Sequence, residues 1–129
     1  MADKTVVRTE AAPAPFQGAP YSQAVKANGL VFVSGQLSLK PGDKELTGDD
    51  VAAQTEQVFA NLRAILEEAG TSLDNLVKTT VFLQDLGDFQ AMNEVYSKHV
   101  GDRPPARSTF EVAKLPSGAL VEIEAIALV

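Results

Sequence analysis

The sequence predicts an α+β fold: one mixed sheet of six strands with two helices packed on a single face. Three observations point there. Short β-branched or alternating runs occur six times, apolar residues recur at helical spacing twice, and the order along the chain is β-β-β-α-β-α-β-β. A chain of 129 residues reads as a single domain spanning residues 1–129, large enough to bury a real core.

Thr5 to Thr9 is short and β-branched, hence the first strand. Ala11 to Pro20 holds three prolines and a glycine and is a loop. Gln23 to Ala27 and Leu30 to Ser34 flank Asn28-Gly29, the strongest local hairpin signal. Gly35 to Gly48 is polar and turn-rich. Val51, Thr55, Val58, Leu62, Ile65, Leu66 and Ala69 then recur on one helical face, with Glu56, Arg63, Glu67 and Glu68 opposite. Thr47 with Asp50 resembles a capping box, and Gly70 stands where the helix should stop.

Leu76 to Leu83 is the fourth strand. Asp85 is the expected cap of a second helix running to about His99, with Phe89, Met92, Val95 and Tyr96 facing inward. Lys98 and His99 suit the negative end of its dipole, and Gly101 ends it. Arg103 to Leu128 reads as two alternating strands around Pro116-Ser117-Gly118, a final hairpin.

The unit from Leu30 to Leu83 should cross over right-handedly and leave its two strands parallel. Two helices cover one face only, so the other face and a strand edge need water or another subunit. In the last two strands Ser108, Phe110 and Val112 alternate with Arg107, Thr109 and Glu111. Val121, Ile123, Ala125 and Ala127 alternate with Glu122, Glu124 and Ile126. If the apolar sets face the helices, Arg107 and Glu122 share the uncovered face, which favours a site at a subunit boundary.

Composition narrows the chemistry. A net charge of −6 argues against nucleic-acid binding, which needs a basic patch. The chain has no cysteine, so disulfide and thiolate chemistry are excluded, and one histidine argues against structural zinc. No stretch approaches a membrane span or a signal peptide, so a cytoplasmic protein is expected. The glycines near Gly35, Gly42 and Gly48 match no phosphate-binding or dinucleotide fingerprint.

Arg107 and Glu122 carry the most chemistry. A guanidinium grips a small carboxylate through two parallel hydrogen bonds, and a nearby carboxylate can move a proton. Together they suggest a site for a small acidic metabolite. From spacing alone Arg107 reads first as a surface or subunit salt bridge, and Glu122 as a strand glutamate facing water. Tyr21 reads as a packing residue with a wet hydroxyl, Ser34 as a polar turn residue before Gly35, and Asn93 as a solvated helix residue.

The stretch Pro105-Ala-Arg-Ser-Thr-Phe-Glu-Val-Ala-Lys-Leu-Pro-Ser-Gly-Ala-Leu-Val-Glu-Ile123 resembles the signature of the Rid family, also called YjgF or RidA, the reactive-intermediate deaminases. The segments Gly18 to Val25, Val31 to Leu37, Val77 to Phe89 and Met92 to Tyr96 resemble family segments in the same order, so the likeness runs from about Ala11 to Val129. It implies a chorismate-mutase-like fold assembled as a homotrimer, with sites in the clefts between subunits. It implies hydrolysis, without cofactor, of 2-aminoacrylate, its tautomer 2-iminopropanoate, and 2-iminobutanoate to 2-keto acids and ammonia. Arg107 then corresponds to the carboxylate-holding arginine and Glu122 to the glutamate that handles water. Tyr21, Ser34, Gly35 and Asn93 match cleft positions, and Thr109 stands where many members carry cysteine, offering its backbone amide. The reading from another functional class is a non-catalytic trimer that binds a small carboxylate or a partner protein.

Overall fold

The computed structural model describes residues 3–129. Its strands are β1 (Thr5–Val7), β2 (Ala24–Ala27), β3 (Leu30–Gln36), β4 (Leu76–Leu83), β5 (Ala106–Glu111) and β6 (Val121–Leu128); its helices are α1 (Val51–Ala69) and α2 (Phe89–Val100). One mixed sheet has the order β1-β2-β3-β6-β4-β5. Asn28 and Gly29 both adopt positive φ, 52° and 77°, which gives the β2–β3 hairpin the twist its strands require. Because β3 and β4 each run antiparallel to β6, they are parallel to each other, as the crossover rule demands.

Both helices pack on the same face. Phe59, Leu62, Ile65 and Leu66 of α1 and Met92 of α2 are fully buried there, against Val81, Leu83, Val121 and Ile123. Each such side chain contributes about 1.5–3 kcal/mol relative to exposure. Asp50 caps α1 by accepting from the Ala53 N–H at 2.8 Å, and Gly70 ends it in the left-handed region. The cap is therefore Asp50 itself rather than Thr47. Asp85 caps not α2 but the short 3-10 turn before it, accepting from the Gly87 N–H at 2.8 Å. Phe89, expected inward, stays 38% exposed at the start of α2.

The opposite face is open and largely apolar. Register pairs Val6 with Val25, Val25 with Phe32, Phe32 with Ile126, and Phe82 with Phe110, so all six share it. Phe32 and Phe110 remain 44% and 52% exposed.

Two expectations are overturned together. Residues 103–128 do not form a hairpin: β5 pairs in parallel with β4, at the sheet edge, while β6 inserts between β3 and β4. The crossover through α2 wins over the local turn. Pro116 to Gly118 forms a 3-10 turn with Ser117 at φ 56°, and this turn carries the chain across the sheet. The β4–β5 register then sets Arg107 opposite Thr79 and Thr109 opposite Val81, both of which point to the helices. Arg107 and Thr109 therefore lie on the helix face, and Phe110 lies on the open one. Only β6 keeps the predicted sides, with Val121, Ile123, Ala125 and Ala127 buried.

Candidate active site

The residues singled out by sequence gather into two clusters on opposite faces of the sheet. On the open face, Tyr21, Ser34, Gly35 and Glu122 line one cavity of about 470 Å³, together with Phe16, Leu37 and Glu124. A β-bulge builds it. Val33 pairs with Ala125 and Gln36 with Ile123, so Ser34 and Gly35 oppose the single residue Glu124. The bulge swings the β3 backbone toward Glu122, and Gly35 makes room for it. A Cβ at position 35 would fall 2.9 Å from Glu122 Cδ, and closer still to one carboxylate oxygen.

Hydrogen bonds fix the walls of this cavity. Ser34 donates its hydroxyl to the Ser22 carbonyl at 2.6 Å. The Tyr21 oxygen accepts from the Phe16 N–H at 2.6 Å, which leaves the phenolic proton free to donate elsewhere. Buried amides hold the surrounding loops. Asn61 donates to the carbonyls of Leu37 and Leu39, and Gln23 takes the Thr9 N–H while donating to the Pro13 carbonyl. Burial pushes the Glu122 carboxyl above the usual range, and the nearby charge of Glu124 adds to the effect. A carboxylate so placed keeps its proton to higher pH than a solvated one.

On the helix face, the Arg107 guanidinium carbon sits 4.7 Å from the ring centre of Tyr96 and 5.5 Å from that of Phe89. The Tyr96 hydroxyl is bonded to Thr79 Oγ1 at 2.6 Å in a buried pair. Burial raises the Tyr96 phenol above its usual value, outweighing the Thr79 bond and the Arg107 charge, so it stays neutral. No carboxylate pairs with Arg107 among the described residues. Asn93 lies four residues after Phe89 and three before Tyr96, on the same face of α2. Its Oδ1 and the Thr109 Oγ1 are both shut off from solvent and unpartnered among the described residues. Each such orphan costs about 1–3 kcal/mol unless a partner arrives. A guanidinium without a carboxylate partner and two unsatisfied polar atoms on the same face leave hydrogen-bonding capacity unused.

The structure thus brings Tyr21, Ser34, Gly35 and Glu122 together, and Arg107, Thr109 and Asn93 together, but the sheet stands between the two sets. Sequence reasoning missed the aromatic walls of Arg107. The i, i+7 spacing of Phe89 and Tyr96 was visible, but it read as core. It also missed the bulge, for which Ser34-Gly35 inside a strand pattern was the available signal.

Known proteins share this architecture. The sequence model described as Endoribonuclease L-PSP matches residues 9–129. A RutC family protein of Pyrococcus abyssi is 50% identical over 124 residues, covering 96% of both chains. The chloroplastic Reactive Intermediate Deaminase A of Arabidopsis thaliana is also 50% identical over 124 residues, 96% of this chain and 65% of the plant protein. Among solved structures, RidA of an Antarctic Psychrobacter superposes with a TM-score of 0.91 at 45% identity, covering 97% of this chain and 99% of that one. Escherichia coli TdcF with bound serine superposes with a TM-score of 0.87 at 38% identity, covering 97% and 98%. No helix among the described residues is long and apolar enough to cross a membrane. Sequence likeness over nearly the full length and agreement in fold lead to one conclusion: the chain belongs to the Rid (YjgF/RidA) family.

Proposed function

We propose that this protein hydrolyses 2-imino acids and their enamine tautomers, such as 2-iminopropanoate and 2-iminobutanoate, to 2-keto acids and ammonia. The observation that carries the reading is Arg107: a guanidinium set against two aromatic rings, with no carboxylate partner among the described residues. The plant relative at 50% identity is named a deaminase of reactive intermediates, and the TdcF structure holds serine, a small molecule with a carboxylate.

Arg107 and the Thr109 amide hold the substrate carboxylate, and positioning lowers the barrier by several kcal/mol. Glu122 accepts a proton from water as its oxygen attacks the protonated imine carbon, giving a carbinolamine. The protonated Glu122 then returns that proton to the amine. Ammonia leaves as the carboxylate of Glu122 takes the hydroxyl proton and the carbonyl forms, and that proton goes on to the departing ammonia as ammonium. The Tyr21 hydroxyl, in the same cavity as Glu122, is free to donate a hydrogen bond to the attacking water, and Ser34 holds the cavity wall through the Ser22 carbonyl. No cofactor enters these steps. Arg107 and Glu122 act together only if they come from different protomers, because the sheet divides them within one. The apolar open face supplies the surface for such an assembly, which we take to be a homotrimer.

The family description also names an endoribonuclease. A net charge of −6 and the Glu122–Glu124 pair in the cavity oppose a phosphate backbone, so the imino acid reading is preferred.

The test couples a threonine dehydratase to the purified protein and follows keto-acid release under conditions that slow spontaneous hydrolysis. Acceleration is expected, with Arg107→Lys falling close to Arg107→Ala because lysine lacks the fork. No acceleration by an assembled protein that still binds keto acids would instead support a carboxylate-binding module. Near-normal turnover by Arg107→Lys would remove the clamp.

A further inference from the structure

The Arg107 guanidinium needs an orientation as well as a charge, and no carboxylate among the described residues provides it. Arginine carries a long, freely rotating stem, and Arg107 sits near the start of an edge strand, bounded on one side only. Its fixed neighbours are the rings of Tyr96 and Phe89. Of the two, Phe89 is partly exposed, whereas Tyr96 is held at three points. Its hydroxyl meets Thr79 at 2.6 Å, its ring meets the buried Phe59 edge-on at 5.4 Å and 80°, and its π-face carries Arg107 at 4.7 Å. Thr79 is also the ladder partner of Arg107, so the residue that pins the ring stands directly across from the arginine.

An aromatic face attracts a guanidinium without accepting the in-plane hydrogen bonds that a carboxylate ligand will need. A carboxylate in the same place would compete with the substrate. Two buried hydroxyls are also an uneconomical way to fill a core where valine and leucine would pack as well. Their placement behind the guanidinium has a use.

We propose that Tyr96 is a positioning residue for Arg107, its ring locked by the Thr79 hydroxyl so that the guanidinium fork is presented to the substrate carboxylate in one fixed orientation. This rests on the reading of Arg107 as the carboxylate clamp. It makes the pair Thr79–Tyr96 part of substrate affinity although neither residue touches substrate.

The experiment measures the Kd for 2-oxobutanoate, and kcat and KM in the coupled assay, for Tyr96→Leu, Tyr96→Phe, Thr79→Val, Phe89→Leu and Arg107→Lys. Tyr96→Leu should raise Kd and KM together by about tenfold while kcat changes by less than about threefold, the pattern of lost uniform binding. Tyr96→Phe keeps the ring face and loses the hydroxyl, with its bond to Thr79 and its hydrogen bonding with Arg107, so it should recover most but not all of that loss. Thr79→Val removes the same Thr79–Tyr96 bond, so the double variant Thr79→Val/Tyr96→Phe should bind no worse than Tyr96→Phe alone. Phe89→Leu, at a partly exposed position, should weaken binding by about threefold. Wild-type affinity in Tyr96→Leu, or, where that variant does not fold, wild-type affinity in both Tyr96→Phe and Thr79→Val, or additive losses in the double variant, would overturn the proposal. If Arg107→Lys binds the keto acid as wild type does, the clamp itself fails. If Arg107→Lys weakens binding and Tyr96→Leu does not, only the positioning role fails.

Discussion

Gly35 and Glu122 are coupled by space. An alanine Cβ at position 35 would run into the Glu122 carboxylate, and the flexible glutamate would give way before the backbone did. Gly35→Ala should therefore cut turnover by roughly tenfold or more, because a misplacement of 1 Å at the chemistry is costly. The melting temperature should move little, since φ at Gly35 is not in the left-handed region. Steady-state assay and thermal unfolding on the same sample separate the two effects.

Glu122 itself gives a prediction with a sign. Its carboxyl is raised in the fold, so it carries a proton more readily there than in the unfolded chain. Whatever stability this contributes is present below the ordinary glutamate value and is lost as pH rises through the raised one. Glu122→Gln should then melt higher than wild type at neutral pH, and the gain should vanish in acid. Activity should fall by about 10²–10⁴ if Glu122 is the general base, and wild-type kcat/KM should drop as pH falls through the raised value. A Glu122→Gln protein that melts lower at neutral pH would contradict the buried, unpaired environment.

Elements differ in how much of them could be read in advance. The α1 face was legible residue by residue, because seven apolar or small positions at helical spacing leave one solution. All of Val51, Thr55, Val58, Leu62, Ile65, Leu66 and Ala69 are buried. The β6 alternation was legible for the same reason. β5 was not. Its alternation sets Ser108 and Phe110 against Arg107 and Thr109, and neither set is decisively apolar, so the face is decided by the partner strand. That partner is chosen by the α2 crossover, a long-range event that local turn chemistry at Pro116 to Gly118 does not reveal. The buried amides Gln23, Gln54 and Asn61 were also unreadable, since a polar side chain announces its burial only through backbone groups distant in sequence, carbonyls for Gln23 and Asn61 and the Leu120 N–H for Gln54. The α1 cap is testable by itself: Asp50→Ala should lower stability by about 1 kcal/mol, read from chemical denaturation, with turnover kept. A loss far larger than that would mean Asp50 holds more than the Ala53 N–H.

For the whole molecule, the sheet works as a partition. One surface carries the glutamate, the tyrosine and the bulge; the other carries the arginine, the threonine and the asparagine. Val6, Phe32 and Phe110 on the first surface stay exposed in a single protomer, which fits the assembly proposed above, and the family resemblance had implied shared clefts. The identities of Arg107, Glu122, Tyr21, Ser34, Gly35, Thr109 and Asn93 came from motifs. Their division between two faces came only from the register of β4, β5 and β6.

That division has a genetic consequence. Two null alleles, one encoding Arg107→Ala and the other Glu122→Gln, should rescue each other when co-expressed, since a hybrid of the proposed trimer would pair an intact arginine from one parent with an intact glutamate from the other. Random mixing in equal amounts should restore about a quarter of the catalytic centres. Refolded mixtures that stay as dead as either parent would mean that each chain works alone.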